Sequence, residues 1–441
     1  MKSDKNRSNC KIFLATAIFG FLLSLQSFTQ ATITETVKSE AKISSDGTLV
    51  FNNRSFNTQI KTWKNDYVEL QMNVKLEGKQ EDINKTLQVI KSIKCTGSPQ
   101  VVTINTNFLE SCDCGDTKHR LKLSNGEKVT LKSYSVENVL FIPATISIKI
   151  DNKYSDIVMD DIAGKADLII YSSKLYCGSI GGFTNFDLKY SKAFLKKISE
   201  TVMKLYDSDV EMQSCGNLDL RAKYSKLQIE IAGDVTFDSY DDDLKVGKLG
   251  KINGKAKYSD FDFGPSANLT FDFYDCNLKM GETGNVKGQG KYSEIVGKKA
   301  LRLTLNNSFD DSYTFDELDS FDCLDSKYSN FNVGLINQGL SIISYDDIIM
   351  VDNFSDTFTG IKFEAKYSDF IFSIPDNIAC RLVVEMKYGK VDYPETQFVN
   401  KTFIKENELF KIEALTKNSS ENTTNKIELK GYDSKVVIKN R

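Results

Sequence analysis

Histidine is almost absent from this 441-residue chain; the one present is His119, in a polar Gly-Asp-Thr-Lys setting. General acid-base work by histidine therefore has little support. No Gly-x-Ser-x-Gly elbow and no glycine-rich phosphate loop occurs. Basic excess is missing too, since the formal charge is −3. Phosphate-backbone binding needs the opposite balance, so a nucleic-acid partner is not expected. Beyond Leu25 every apolar run is broken within a few residues by Lys, Asp or Asn. None reaches the ~18 residues that a spanning helix needs, so no membrane-spanning segment is expected in the mature chain.

Cysteine is present but unorganised. After Cys10 the positions are 95, 112, 114, 177, 215, 276, 323 and 380, a scatter that matches no metal or disulfide framework. A chain of this length buries a core without staples. Cys112-Asp-Cys114, with Cys95 and His119 nearby, is the cluster to weigh as a metal site. A C-x-C pair lacks the C-x-x-C spacing of structural zinc. A loop disulfide or free thiols is the simpler expectation, and no metal or cofactor is assigned.

The first 31 residues read as a secretory signal peptide: Lys2, Lys5, Arg7 and Lys11 precede an apolar run from Ile12 to Leu25, then Thr29-Gln30-Ala31. Cleavage is expected near Ala31. Cys10 precedes the apolar run and so is not the acylated cysteine of a lipoprotein signal. The expected product is a soluble exported protein in the periplasm, on the cell surface or secreted.

What the chain has in abundance is a repeat. Lys-Tyr-Ser recurs at Tyr154, Tyr190, Tyr224, Tyr258, Tyr292, Tyr328 and Tyr367, in steps of 36, 34, 34, 34, 36 and 39. A second series lies between them, at Tyr171, Tyr206, Tyr240, Tyr274, Phe309 and Tyr345, each followed by Asp or Ser. The unit is near seventeen residues in two alternating flavours. Leu227-Gln-Ile229-Glu-Ile231, Ala-Gly-Asp, Val235-Thr-Phe237 and Tyr240 read as strand, turn, strand, bend. The next units repeat it with turns at Gly-Lys-Leu-Gly, Gly-Pro and Gly-Glu-Thr-Gly. Period-two alternation with glycine-centred turns excludes amphipathic helices. Seventeen residues are too few for a crossover through a helix.

A β-solenoid coil fits, with identical positions stacked at the ~4.8 Å strand spacing. The expected fold is all-β: a β-helix-like solenoid over 136–441, with a polar loop near 416–425, after a β-rich N-terminal region over 32–135. Large and small residues are predicted to alternate inside. Ile252, Gly254 and Ala256 would lie beside Leu269, Phe271 and Phe273, and these beside Val286, Gly288 and Gly290. The 34-residue super-period is attributed to that interdigitation. An antiparallel meander or a propeller of 34-residue blades ranks second.

Upstream, alternation over Gly47 to Phe51, Thr58 to Trp63, Tyr67 to Met72, Val101 to Asn105 and Arg120 to Leu123 predicts strands without a period. Glu81 to Ile93 has a helical pattern, with Ile83, Leu87 and Ile90 on one face and Asp82 as a cap. The end of the chain, Lys426 to Lys439, reads as strand, a Gly431-Tyr432-Asp433-Ser434 turn, and strand.

Three stretches together resemble the bacterial putative-adhesin domain family of β-solenoids of unknown function. They are the Gly47 to Met72 strands with Trp63; Phe141-Ile142-Pro143 leading to Ile146–Ile150 and Tyr154 to Gly164; and the closing Ile427 to Ile438 hairpin. The resemblance implies a fold, an exported or surface location, and no catalytic site to carry over. The family has Gly-Asp where this chain has Tyr-Ser-Asp.

Two further readings concern the bends. Asp156, Asp207, Asp241, Asp242, Asp243, Asp260, Asp346 and Asp369 offer oxygens for calcium, but the Gly-Gly-x-Gly-x-Asp motif of calcium coils is absent and solvated turns are the simpler reading. The thirteen ring residues are read as a structural ladder, stacked ring on ring and holding coils in register, rather than as a sugar-binding strip. Lys153, Lys189, Lys223, Lys257, Lys291, Lys327 and Lys366 would form a parallel cationic row. Nothing breaks the repeat as a catalytic site should, so no enzyme is expected. The function expected is a non-catalytic binding scaffold or adhesin of the cell envelope, facing a polysaccharide or a protein. A polysaccharide-active β-helix enzyme and a purely structural envelope component are the alternatives.

Overall fold

The computed structural model describes residues 30–420 and 422–440; the expected signal peptide lies outside them except for its last two residues. The repeat folds as a β-solenoid. Each coil contributes one strand to each of two parallel stacks, and consecutive coils pair in parallel. In the first stack Leu168, Phe186, Met203, Leu220, Phe237, Gly254, Phe271 and Gly288 lie in one column. The predicted seventeen-residue unit is thus the rise of one coil from Phe186 onward. Later coils lengthen, with Cys323 beside Ile342 and Ile342 beside Phe363.

In-out alternation drives this, with a one-residue slip at the end of some second-stack strands. Strand Leu218–Lys223 buries Leu218, Leu220 and Ala222, and strand Lys226–Ala232 buries Leu227, Ile229 and Ala232. Each fully buried large aliphatic or aromatic side chain contributes roughly 1.5–3 kcal/mol. The predicted large-small packing is present: Ile252 pairs with Leu269, Gly254 with Phe271 and Ala256 with Phe273, and these pair in turn with Val286, Gly288 and Gly290. A Cβ built on Gly254 would meet the Phe237 ring at 2.1 Å, so the ring occupies the volume that glycine leaves empty. This alternation is confined to a few coils, because Phe186, Met203 and Leu220 follow one another without it. The 34-residue super-period therefore has another origin, at the corner described below.

From residue 277 the coil changes shape. Gly281-Glu-Thr-Gly284, read as a turn, lies inside one continuous strand, Asn277–Lys291, followed by Glu294–Phe309, Ser312–Lys327 and Asn330–Tyr345. The third side of the coil pairs there as well, through Glu282, Lys299 and Glu317, which removes the need for a tight turn.

Space and sequence order part company at both ends. Strands Thr48–Arg54 and Thr58–Trp63 form a coil of the same stack, paired in parallel with Ser147–Lys153 and Ile157–Met159. The chain then leaves as strand Tyr67–Gly78, antiparallel to Ala31–Lys42 and Lys128–Pro143. The helix Gln80–Ser92 buries Ile83, Leu87 and Ile90 as expected, but its cap position is Lys79, with Asp82 in the first turn. The acidic first turn complements the helix dipole without making a cap bond. At the other end, Lys426–Tyr432 and Lys435–Asn440 do not form the expected hairpin. Each pairs in parallel: Lys426–Tyr432 inserts between Gly360–Lys366 and Arg381–Lys387, and Lys435–Asn440 between Asp369–Ile374 and Lys390–Asp392. The last coil in sequence is the penultimate coil in space. The polar run after Thr416 is a loop, as predicted. Among the described residues no helix is long and apolar enough to cross a membrane.

Candidate functional site

One corner of the solenoid, where each first-stack strand bends into the second stack, gathers the ring residues. A single left-handed residue makes each bend, and its identity alternates: Tyr154, Ser172, Tyr190, Asp207, Tyr224, Asp241, Tyr258, Asp275, Tyr292, Asp310, Tyr328, Asp346 and Tyr367 all have φ between 47° and 60°. Asp adopts this conformation readily. Tyr does so at a cost of roughly 1–2 kcal/mol, which the surrounding contacts must offset.

The two tyrosine series are therefore one residue out of register with each other. Lys153 pairs with Tyr171, Tyr171 with Lys189, Lys189 with Tyr206, and so on to Lys366 with Tyr432. This offset is the origin of the two flavours. Coils alternate between Lys-Tyr-Ser with tyrosine at the bend and a ring residue followed by the bend residue, which is Ser172 in the first such coil and aspartate in the rest. The expected cationic row is corrected accordingly, since each lysine is separated from the next by an aromatic ring. Lys223 Nζ lies 4.8 Å from the Tyr224 ring centre and 5.0 Å from that of Tyr240. Lys291 Nζ lies 4.9 Å from Tyr292 and 5.0 Å from Phe309. Such exposed contacts contribute about 0.5–1 kcal/mol.

Because of the offset the rings meet edge to face rather than stacking flat. Tyr154, Tyr171, Tyr190, Tyr206, Tyr224, Tyr240, Tyr258, Tyr274, Tyr292, Phe309, Tyr328, Tyr345 and Tyr367 form one ladder, with centroids 5.4–5.9 Å apart and planes at 75–88°. All thirteen predicted residues are on it. Tyr432 and Tyr388 extend it, in that spatial order. Sequence reasoning missed both because the spacing jumps there, although Tyr432-Asp433-Ser434 and Lys387-Tyr388 carry the two motifs.

Behind the rings runs a second column that the sequence reading did not single out. The residue after each bend is buried, and its side chain accepts the backbone N–H of its counterpart one coil earlier. Ser155 N donates to Ser173 Oγ, Ser173 N to Ser191 Oγ, Ser191 N to Ser208 Oγ, and Ser208 N to Ser225 Oγ, at 3.1–3.3 Å. A buried N–H left unpaired costs about 1–3 kcal/mol, so this hydroxyl column lets the corner repeat. In three coils aspartate takes the serine's place, and then a buried serine always stands three residues before it: Ser239 with Asp242, Ser308 with Asp311, and Ser344 with Asp347. Asp311 accepts from Ser293 N at 2.8 Å, Ser308 Oγ at 2.9 Å, Phe309 N at 3.1 Å and Tyr313 Oη at 3.3 Å. Burial nevertheless pushes its carboxyl up to about 6, against the pull of those donors, and raises Asp242 and Asp347 as well.

The other candidates fall elsewhere. Of the aspartates weighed for calcium, Asp242 is inside this column, while Asp207, Asp241 and Asp346 alternate with tyrosines at successive bends. Asp156 accepts Lys174 N and Asp260 accepts Asn277 Nδ2. Among the described residues the one group of three metal-ligating side chains within 4.8 Å is Cys112, Cys114 and His119. Cys112 and Cys114 are joined as a disulfide. Tyr134 Oη lies 3.9 Å from each sulfur, and His119 meets the Tyr134 ring edge-on. Cys95 is not part of this group; its thiol donates to Ser39 O.

No family model matches the chain, and no curated protein does. Two solved structures are similar to it. One is a putative cell adhesion protein from Clostridium sporogenes, 10% identical over 93% of this chain and 100% of that one, with a TM-score of 0.17. The other is a putative adhesin from Parabacteroides distasonis, 9% identical over 76% of this chain and 96% of that one, with a TM-score of 0.18. At these identities and TM-scores the likeness bears on neither activity nor partner.

Proposed function

We propose that the chain is an exported, non-catalytic binding scaffold of the cell envelope or cell surface, an adhesin-type protein that presents its solenoid to an envelope polysaccharide or protein. The observation that carries this reading is the parallel register, which holds from Lys149 through Asp167, Asn185 and Val202 onward to Lys362 and Glu428. Outward side chains at one strand position recur at every coil, about 4.8 Å apart. A polymer with its own regular repeat is matched by such a surface better than a small molecule is. The corner ladder is the seam that keeps those columns in line.

A pull-down from envelope extract with the purified chain tests the reading, run beside an assay for reducing ends or unsaturated products on envelope, plant and host glycans. Capture of a glycan or protein without product release is the expected result. Product release refutes the non-catalytic reading. Cell fractionation tests export, with cytoplasmic retention as the contradicting result.

A further inference from the structure

On the outer face of the second stack two aromatic residues follow one another in the middle outward column. Through four successive coils the outward column in the middle of this face is polar, running Gln228, Lys245, Asp262 and Lys279; further on it is mixed at Val296, Thr314 and Asn332 and aliphatic at Met350 and Ile371. Starting four coils before Gln228, the same column reads Val158, Tyr176, Phe194 and Glu211. Tyr176 and Phe194 lie parallel, with centroids 5.0 Å apart and planes at 10°. Val158 is 49% and Tyr176 41% exposed. These three apolar side chains form the floor of a groove of about 770 Å³. Tyr176 and Phe194 lie away from the corner ladder, so the seam does not account for them, and an exposed apolar patch of this kind marks a contact surface.

Charge around the floor is one-sided. Asp160, Asp161, Glu211 and Glu230 line the groove against one cation, Lys196. Asp160 and Asp161 accept backbone N–H groups of Thr62 and Ser179. Glu211 and Glu230 make no hydrogen bond or ion pair among the described residues, and the amides of Gln213 and Gln228 beside them are also unengaged. A flat apolar floor beside free amides is suited to the C–H faces and hydroxyls of a pyranose. Free carboxylates at its edge attract ammonium groups and repel uronates or sulfates.

We propose that this groove binds a polysaccharide carrying free amino groups, with sugar rings packed on Val158, Tyr176 and Phe194, ammonium groups at Glu211 and Glu230, and hydroxyls at Gln213 and Gln228. The proposal rests on the binding-scaffold reading and names the ligand class and the place. Four register steps separate Val158 from Gln228, so the site spans about 19 Å along the solenoid, the reach of a short oligosaccharide.

Calorimetric titration of the purified chain with a glucosamine hexamer, an N-acetylglucosamine hexamer and an oligogalacturonate tests it. The glucosamine hexamer is expected to bind, the acetylated one about tenfold more weakly, and the galacturonate not at all. Tyr176→Ala, at an exposed position, is expected to weaken glucosamine-hexamer binding about tenfold, with the fold retained and the melting temperature lowered by no more than one lost ring pair accounts for. Glu211→Gln with Glu230→Gln is expected to bring the two hexamers close to equal affinity and to reduce the salt dependence, Asp160 and Asp161 remaining. No binding of the glucosamine hexamer overturns the proposal, as does binding indifferent to these substitutions or equal binding of the galacturonate. A lysine-rich peptide that binds equally and with the same Tyr176 dependence overturns the saccharide assignment. If other envelope glycans are captured while the glucosamine hexamer is not, the groove proposal fails and the scaffold reading stands. If a glycan is cleaved, the scaffold reading itself fails.

Discussion

Replacing Asp311 by asparagine removes a carboxyl that the fold keeps at 2% exposure in the corner column. Its folded value, about 6, stands above the ordinary 3.8. As pH rises from acid, the unfolded chain therefore loses this proton first, and the folded chain holds it until about pH 6. The stabilisation is fully present below about pH 3.8 and is lost as pH rises through 6. About two units at ~1.36 kcal/mol each make the effect about 3 kcal/mol. A stacked array opens in parts rather than all at once, so a local measurement is the right one. Hydrogen exchange at the amides of Ser293 and Phe309, which donate to this carboxyl, corrected for intrinsic rates, reports on it directly. Between pH 7.5 and pH 4 the protection of these amides, relative to Asp311→Asn, is expected to rise by up to about 3 kcal/mol. A flat difference refutes the reasoning. A fall in protection on acidification refutes it more sharply, since it means that the four donors hold the carboxylate ionised.

Tyr258 sits at φ 58° with ring contacts of 5.5 Å to Tyr240 and 5.6 Å to Tyr274. Tyr258→Ala is expected to cost roughly 1–3 kcal/mol, from two edge-to-face pairs at about 0.5–1.5 each. Tyr258→Gly loses the same pairs but relieves the left-handed strain, so thermal unfolding should show it no less stable than the alanine variant. An alanine variant as stable as the parent, with glycan capture lost, contradicts the seam and makes the rings a binding strip. Gly254→Val drives a side chain into the Phe237 ring and is expected to lower the denaturation midpoint by an amount worth about 1–3 kcal/mol, partly restored by Phe237→Leu. Full tolerance of Gly254→Val contradicts the alternating core.

The seventeen-residue unit, the buried faces and the ladder were legible because the period-two pattern and the bend tyrosines are local signals repeated many times. The register offset between the two tyrosine series was equally present in the letters, as Lys-Tyr-Ser in one series against a ring residue followed in most coils by Asp in the other. Aligning the series on tyrosine concealed it, because the conserved geometric object is the left-handed bend, which falls on tyrosine in one coil and on aspartate in the next. The serine that accompanies Asp242, Asp311 and Asp347 is a pairwise dependence across a bend, invisible to any single-position reading. Placement of the terminal coils was beyond sequence reasoning for a different reason. Nothing in Lys426 to Lys439 distinguishes a strand that pairs with its neighbour in the chain from one that enters between Gly360–Lys366 and Arg381–Lys387, since both bury the same Ile427 and Leu429. The floor of the groove, Tyr176 and Phe194, lies in separate coils and is a patch only after the coils stack.

Distances between spin labels along one outward column test the parallel stack most directly. Asn185 leads through Val202, Asp219 and Thr236 to Asn253, and from there through Thr270 to Lys287. Labels at Asn185 and Asn253, four coils apart, are expected about 19 Å apart, and at Asn185 and Lys287, six coils apart, about 29 Å, a rise of about 4.8 Å per coil. Lys362 and Glu428, distant in sequence but adjacent in register, are expected within one strand spacing. Distances that rise linearly with coil number, with Lys362 beside Glu428, are the predicted result; distances that level off or reverse, as in a meander or a propeller, contradict the solenoid.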